Sequence, residues 1–380
     1  MTKKFAIIGR GTAGAFALTH YYRHTDFEID WYFDSNVKPQ AVGEGTTLIF
    51  PHAISDNINF GILDLESIYG TVKCGIKKTN WGDCGNDYIH EFSSGDHGYH
   101  FNAVMLQNFI LNFAKKQSRI KIIDKNVDHQ DIDADYIMDC SGKPKNYEDF
   151  QYSTYIPVNT GYVTQCYWEG VRFQYTLTLA RPYGWVFGIP LLNRCAIGYM
   201  YNSNINSLDE IKEDVQNIFK EYSLNPSQDT NFLEFKNYYR KENYHGRVCY
   251  NGNASFFLEP LEATSISMMN FIQKEFFDLI YARLNNNNYF ENSDEYKNKN
   301  YQDYIREIEN VIMLHYASGS KFNTEFWKFA KERGKENFQI LKKNPKFISL
   351  MNNNKKVQEY GTWNRRSFLM NLSNLDLLND

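Results

Sequence analysis

The sequence predicts an α/β fold: a nucleotide-binding βαβ unit opens the chain, a largely antiparallel β-sheet layer is inserted after it, and helices close it. Three observations carry this expectation. A glycine-rich turn, Gly9-Arg10-Gly11-Thr12-Ala13-Gly14, follows an apolar run at residues 5–8. The stretch 155–201 contains runs such as Phe173-Gln174-Tyr175-Thr176-Leu177-Thr178-Leu179, whose period-two alternation marks a half-buried sheet. Helical spacing dominates from Thr264 onward.

Met1-Thr2-Lys3-Lys4 is charged and runs straight into Phe5-Ala6-Ile7-Ile8. That apolar run is too short for a signal peptide and reads as a buried strand. Ala13 to His24 has helical spacing and residues 29–33 form a second strand, which completes the βαβ opening. A further strand is expected at Tyr136-Ile137-Met138. Ser207 and Glu210 form a capping box, and behind it Leu208, Ile211, Val215, Ile218, Phe219 and Tyr222 share one helical face. An apolar helix is expected from Thr264 to Leu284, then a loop through Asn285-Asn286-Asn287-Asn288 to Asn300. Helices resume at Tyr301, with breaks at Asn344-Pro345 and at Asn352-Asn353-Asn354. The organisation expected is a core over 1–330, its nucleotide-binding part split between 1–150 and 245–285, an inserted sheet over 151–205, and a short helical extension over 331–380.

Apolar residues make up 42% of the 380, and aromatics 16%, enough to bury a large core and to line an aromatic cavity. The net charge of −4 excludes the basic excess of a nucleic-acid binder. No apolar run reaches the length of a membrane span, about 20 residues. Cys74, Cys84, Cys140, Cys166, Cys195 and Cys249 make no CxxC pair and have no zinc spacing with histidine. They read as free buried thiols of a cytoplasmic protein, with no metal in its chemistry.

In the glycine turn, the first glycine allows the tight bend, the second lets backbone approach a pyrophosphate, and the third lets helix and strand pack closely. The helix N-terminus faces the phosphate charge. Asp34, 20 residues past Gly14, ends the second strand where an acid can bond a ribose hydroxyl. No second glycine fingerprint marks a nicotinamide domain. Asp139-Cys140-Ser141-Gly142, at the end of a late strand, suits a second flavin contact. The cofactor expected is therefore FAD, and the fold an FAD-binding Rossmann-like domain with an inserted antiparallel sheet.

Several motifs in one order then resemble the flavin-dependent tryptophan halogenase family. Besides the glycine turn they are Val42-Gly43-Glu44-Gly45-Thr46, Ile76-Lys77-Lys78-Thr79-Asn80-Trp81, Tyr99-His100-Phe101-Asn102-Ala103 and Ile137-Met138-Asp139-Cys140-Ser141-Gly142. Further along come Gly184-Trp185-Val186-Phe187-Gly188-Ile189-Pro190, Phe257-Leu258-Glu259-Pro260-Leu261-Glu262-Ala263-Thr264, and Leu314-His315-Tyr316-Ala317 with Phe326-Trp327. Three positions depart from the family pattern: Phe187 stands for a Trp, Ala263 for a Ser and Ser265 for a Gly. The chain also ends at Asp380, sooner after Trp327 than in tryptophan halogenases. That departure points to a wider cavity and a simpler aromatic than free tryptophan.

The resemblance implies an enzyme that uses FADH2 from a separate flavin reductase, O2 and a halide, and halogenates an indole- or phenol-like aromatic. Hypohalous acid would pass along a tunnel to a substrate held away from the flavin. Lys77 would meet it, as a haloamine or by hydrogen bonding, with Lys78 the runner-up; the bland alternative is a lysine-rich surface strand that also includes Lys73. Glu262 would orient the acid and accept the ring proton; its alternative is a helix N-terminal acid. The expected cofactor contacts are Gly9, Gly11, Thr12, Ala13, Gly14, Asp34, Gly43, Glu44, Gly45, Thr46, Asp139, Asn253 and Ile266. Backbone N–H groups of Thr264 and Ser265 would hold the halide, and Trp185, Phe187, Ile189 and Pro190 would wall the substrate off from the flavin. His100 and His315 read as structural histidines. The rival readings are a flavin monooxygenase that hydroxylates its aromatic directly, and a flavin-binding scaffold without turnover. The sequence leaves a homo-oligomer open.

Overall fold

The computed structural model describes residues 2–37, 43–92, 95–287 and 289–378, so Met1, Val42 and Asn288 of the segments above lie outside the described residues. The opening unit is β1 (Lys4–Ile8), α1 (Thr12–His24) and β2 (Glu28–Phe33). Next come β3 (Gly43–Gly45), α2 (Ile49–Ile58), β4 (Thr71–Lys73), β5 (Gly75–Trp81), β6 (Asn86–Glu91), β7 (Gly98–Asn102), α3 (Ala103–Ala114), β8 (Ile120–Asp124), β9 (Tyr136–Asp139) and β10 (Phe150–Tyr152). The meander β11 (Thr160–Tyr167), β12 (Tyr175–Arg181), β13 (Gly184–Pro190) and β14 (Arg194–Tyr201) leads into α4 (Leu208–Glu221) and β15 (Asn225–Glu234). Short strands β16 (Tyr238–Arg240), β17 (Tyr244–His245), β18 (Val248–Tyr250) and β19 (Phe256–Phe257) precede α5 (Thr264–Leu284), α6 (Asp294–Ser318), α7 (Glu325–Leu341) and α8 (Pro345–Met351). A hairpin of β20 (Glu359–Tyr360) and β21 (Trp363–Asn364) and then α9 (Arg365–Asn374) end the fold.

One sheet runs β17-β18-β9-β1-β2-β8, parallel except for the β17–β18 hairpin. Its interior strands are almost wholly apolar because helices cover it, and α1 packs on it through Ala13 to Tyr21. The indole of Trp31 donates to the Gly9 carbonyl at 2.9 Å, which ties the glycine turn to the sheet beneath it.

The second sheet runs β15-β11-β14-β13-β12-β5-β6 and is antiparallel except where β12 meets β5. It reaches beyond the expected 151–205, since it takes in β5 and β6 from residues 75–91 and β15 from 225–234. One face packs on α4, through Leu177, Leu179, Val186 and Ile197 against Ile211, Val215 and Ile218. The capping box of Ser207 and Glu210 that starts α4 forms as the sequence predicts. The other face, carrying Trp185, Phe187, Ile189 and Met200, joins the main core with α5, α6 and α7.

Only Cys74 separates β4 from β5, yet β4 belongs to a small sheet with β7 and β3. Gly75 permits this switch: a Cβ there would lie 2.6 Å from the His90 carbonyl oxygen. Helix α7 runs across the expected boundary at residue 330, and the segment after it packs into the core through Leu350, Tyr360, Trp363 and Phe368. Of the six cysteines, all unpaired, four are buried; Cys74 is half-buried and Cys84 exposed, which corrects the expectation of six buried thiols.

Candidate active site

The dinucleotide end is built from backbone. Gly9 has φ +98°, and a Cβ there would meet the Cys140 carbonyl oxygen at 2.2 Å; one at Gly14 would meet the Gly9 carbonyl oxygen at 2.1 Å. Gly11 has nothing within 4 Å of that position, and it caps α1 without a side-chain hydrogen bond. The turn thus packs tightly behind and is open in front, where uncapped N–H groups face outward, as a pyrophosphate needs. Asp34 follows β2 directly, and its carboxylate accepts from Asn36. Gly252 brings the turn that holds Asn253 against Ala13. These residues fit FAD.

Glu44 and Thr46, from the loop expected to meet the flavin, are tied to that turn and to β7. Thr12 Oγ1 donates to Glu44 Oε1 at 2.7 Å, and burial pushes the Glu44 carboxyl up to about 7 against that bond. Thr46 Oγ1 accepts from the Tyr99 N–H at 2.8 Å, which locks β3 to β7. Burial works against the Asp139 carboxylate, but His129 and the Ser141 N–H outweigh it and hold the group below its usual range.

Glu262 sits where the chain turns into α5. It and Ala263 are consecutive non-glycine residues in the left-handed region, at φ +68° and +54°, a strained arrangement that persists only where contacts enforce it. The contacts are present. Lys78 Nζ lies 2.6 Å from Oε1, and His315 Nε2 lies 3.3 Å from it. Trp363 Nε1 donates to Oε2 at 3.1 Å, and His90 Nδ1 lies 3.5 Å from Oε2. Burial opposes ionisation of Glu262, but Lys78, His315 and His90 override it and hold the carboxyl well below its usual range. Burial lowers Lys78 from its usual value, opposed by Glu262; the ionised carboxylate 2.6 Å away makes this a charged pair. Lys78 also donates to Asn371 Oδ1 at 2.9 Å and touches His315 Nε2. The acid is therefore the centre of a buried ionic cluster, a firmer assignment than a helix N-terminal charge.

The expected pairing of Lys77 with Glu262 is not formed. Lys77 pairs in register with Leu177, on the face that packs against α4, and is only half-buried. The cause is a β-bulge. Lys77 and Trp81 are four residues apart and would share a face in a regular strand. The register shifts between Lys78 and Trp81, with Asn80 at φ +63°, so Lys78 takes the Trp81 face instead.

A different lysine has the properties that a reactive amine requires. Lys73, the last residue of β4, is fully buried. Its Nζ has no hydrogen-bond partner among the described residues, and the Phe92 ring lies 5.7 Å away. Burial, opposed by Glu262 and aided by Lys78, lowers it to about 8. A Cβ on Gly45 would come within 3.6 Å of this Nζ, so the amine lies directly behind the flavin-loop strand. Lys73 and Glu262 line one cavity of about 230 Å³, with Thr47 after the flavin loop and Ser267 in the first turn of α5. Thr362, Trp363, Ser367 and Met370 close its far side.

Thr264 and Ser265 open α5, with Ile266 buried behind them. Trp185, Phe187, Ile189 and Pro190 are all buried on β13, but none of them is among the residues lining the cavity. Trp185 Nε1 and the Tyr316 hydroxyl both donate to Glu259 Oε2 at 2.8 Å, and burial pushes Glu259 up to about 8. His100 is satisfied by Thr71 and Thr176, a structural histidine. His315 is more than structural, since it touches both members of the ionic cluster. Sequence reasoning missed His90, Trp363 and Asn371, which carry no motif. For Lys73 a signal existed: a lysine at the end of a short strand, two residues before a glycine that switches sheets.

Fold and site together define an α/β dinucleotide-binding protein with a buried lysine–carboxylate cavity behind its nucleotide loop. The chain belongs to the tryptophan halogenase family, which it matches over residues 4–126 and 96–372. It is 23% identical over 275 residues to the tryptophan 7-halogenase RebH of Lentzea aerocolonigenes, covering 62% of this chain and 49% of that one. The chain thus matches about half the length of such curated relatives. Its fold is that of BrvH, a flavin-dependent halogenase from Brevundimonas sp. BAL3 (TM-score 0.76, 19% identity, 99% of this chain and 90% of that one). It is also that of a tryptophan halogenase from Shewanella frigidimarina (TM-score 0.78, 17% identity, 98% and 89%). Among the described residues no helix is long and apolar enough to cross a membrane, and no cluster of three His, Cys, Asp or Glu side chains could hold a metal.

Proposed function

We propose that the protein is a flavin-dependent halogenase acting on a small indole- or phenol-like aromatic, with Lys73 and Glu262 as its catalytic residues. One observation carries the reading: a buried amine with no hydrogen-bond partner among the described residues and an ionised carboxylate line one cavity beside the nucleotide loop. The glycine turn, Asp34, the Gly43–Thr46 strand, Asp139, Asn253 and Ile266 would hold FAD, and the Thr264 and Ser265 N–H groups a halide. Reduced FAD, supplied by a separate reductase and reacting with O2, provides the oxidising power that converts halide to hypohalous acid.

Lys73 then receives that acid. As a free amine it attacks the halogen of HOX, forming an N–X bond and releasing water; as an ammonium it would instead donate a hydrogen bond and polarise HOX. In the first route the halogen passes to a ring carbon, the N–X electron pair returns to Lys73, and Glu262 accepts the ring proton. The cavity is smaller than the usual ligand pocket of about 300–1,000 Å³, which favours a simple aromatic. The unpaired cysteines fit a reducing, cytoplasmic setting.

The test supplies purified protein with FAD, a flavin reductase, NADH, O2 and bromide, and offers indoles and phenols. A bromine mass shift supports the reading; a hydroxyl shift that ignores bromide would mean direct hydroxylation instead. The free-amine route also predicts a pH dependence. The active form is unprotonated, so bromination should fall as pH drops through about 8. A rate that rises as pH falls through that region points to the ammonium route.

A further inference from the structure

We propose that Lys78 is a positioning residue of this site: it pins the Glu262 carboxylate at the cavity wall and balances its charge, which leaves Lys73 beside the carboxylate without an ion-pair partner. The inference rests on the catalytic pair proposed above but makes a separate claim about it.

The geometry gives Lys78 fixed partners on several elements. It leaves β5 on the face turned away from α4, meets Glu262 Oε1 at 2.6 Å, touches His315 from α6, and donates to Asn371 from α9. Tyr88 of β6 donates to the same Asn371 oxygen at 2.9 Å. The ammonium thus has two partners, one on α6 and one on α9, besides the carboxylate. Lys73 has none of these anchors. Both amines are fully buried around one carboxylate, and Lys78 holds it.

The charges facing Lys73 follow. From the turn before α5 comes Glu262, anionic; from β5 comes Lys78, cationic. His90 on β6 and His100 on β7 are both pushed by burial toward the neutral form. With Lys78 in place the Glu262 charge is already balanced, and a second buried cation would stand beside a like charge without a partner. Above about pH 8 the stable arrangement is one ammonium, one carboxylate and one free amine. A desolvated lysine beside another cation is a recognised way to make a nucleophilic amine. Without Lys78, Lys73 becomes the only lysine beside Glu262 among the described residues and should take up the proton more readily.

The test compares Lys78→Met and Lys78→Arg with the wild type by two readouts. The first is reductive methylation of Lys73 with formaldehyde and cyanoborohydride across a pH series, quantified by peptide mass spectrometry; it needs no flavin and no turnover. The midpoint should move up by about one unit or more in Lys78→Met and stay in place in Lys78→Arg. The second is the pH profile of bromination, whose acid limb should move with the labelling midpoint in Lys78→Met. An unchanged labelling midpoint in Lys78→Met overturns the proposal. If that variant does not fold, Asn371→Ala, which loosens the Lys78 anchor, should move the midpoint the same way by a smaller amount, and no movement overturns the proposal there too. A midpoint that shifts as expected in a protein that brominates nothing leaves the lysine coupling standing and removes the halogenase reading.

Discussion

The two ends of the site are built in contrasting ways. At the nucleotide end, the glycine turn rests on its underlying strands and its chemistry is backbone: glycines whose Cβ positions are filled by carbonyl oxygens, and an uncapped helix. At the cavity end, β4, β5, β6, the turn before α5, α6 and the β21–α9 segment each contribute one or two side chains, and the chemistry is charge. The first end withstands changes of side chain elsewhere but no added carbon. The second accepts changes of size but not of charge.

Four single substitutions and one double variant sharpen or break that contrast. The largest effect is expected from Gly14→Ala, whose new carbon would sit 2.1 Å from the Gly9 carbonyl oxygen. It should cost about 3 kcal/mol or more and abolish FAD binding, read by thermal melting and flavin fluorescence. Glu262→Gln should leave FAD binding intact but strand Lys78, at a cost of about 3 kcal/mol and about a hundredfold in kcat. Adding Lys78→Met to it should recover part of that stability in a double-mutant cycle. Trp363→Phe removes one donor to Glu262 and should cost about 1 kcal/mol, with a modest loss of rate. Lys77→Met, on the α4 face, should change stability by no more than about 0.5 kcal/mol. If Gly14→Ala bound FAD normally, or Lys77→Met matched Glu262→Gln in severity, the division between the two ends would be wrong.

The same contrast explains what the sequence disclosed. The glycine turn, Asp34 and the Ser207–Glu210 cap are local, so spacing alone specifies them. Alternation through 175–179 put Leu177 and Leu179 on one face, but the half-buried sheet it predicted is covered on both, because the other face joins the main core. The lysine assignment needed a fact that spacing hides. A bulge at Asn80 changes which residue shares a face with Trp81, and a sheet switch at Gly75 gives Lys73 a direction unrelated to the alternation in β5. Three lysines of the same chemistry within six positions could not be told apart without those two backbone events. His90, Trp363 and Asn371 lie up to 281 positions apart (371 minus 90) and converge only through tertiary packing. Strands β1, β2 and β9 of the six-stranded sheet were legible for the same local reasons, whereas β8, β17, β18 and the entry of residues 75–91 into the second sheet were not.

The most direct test sets Lys73→Met beside Lys77→Met in the bromide assay, with peroxide release from reduced flavin as the internal control. The account predicts that Lys73→Met forms no brominated product while still releasing peroxide, and that Lys77→Met brominates at the wild-type rate. Product from Lys73→Met at an undiminished rate, or its loss in Lys77→Met alone, would contradict the assignment of the buried amine behind the nucleotide loop.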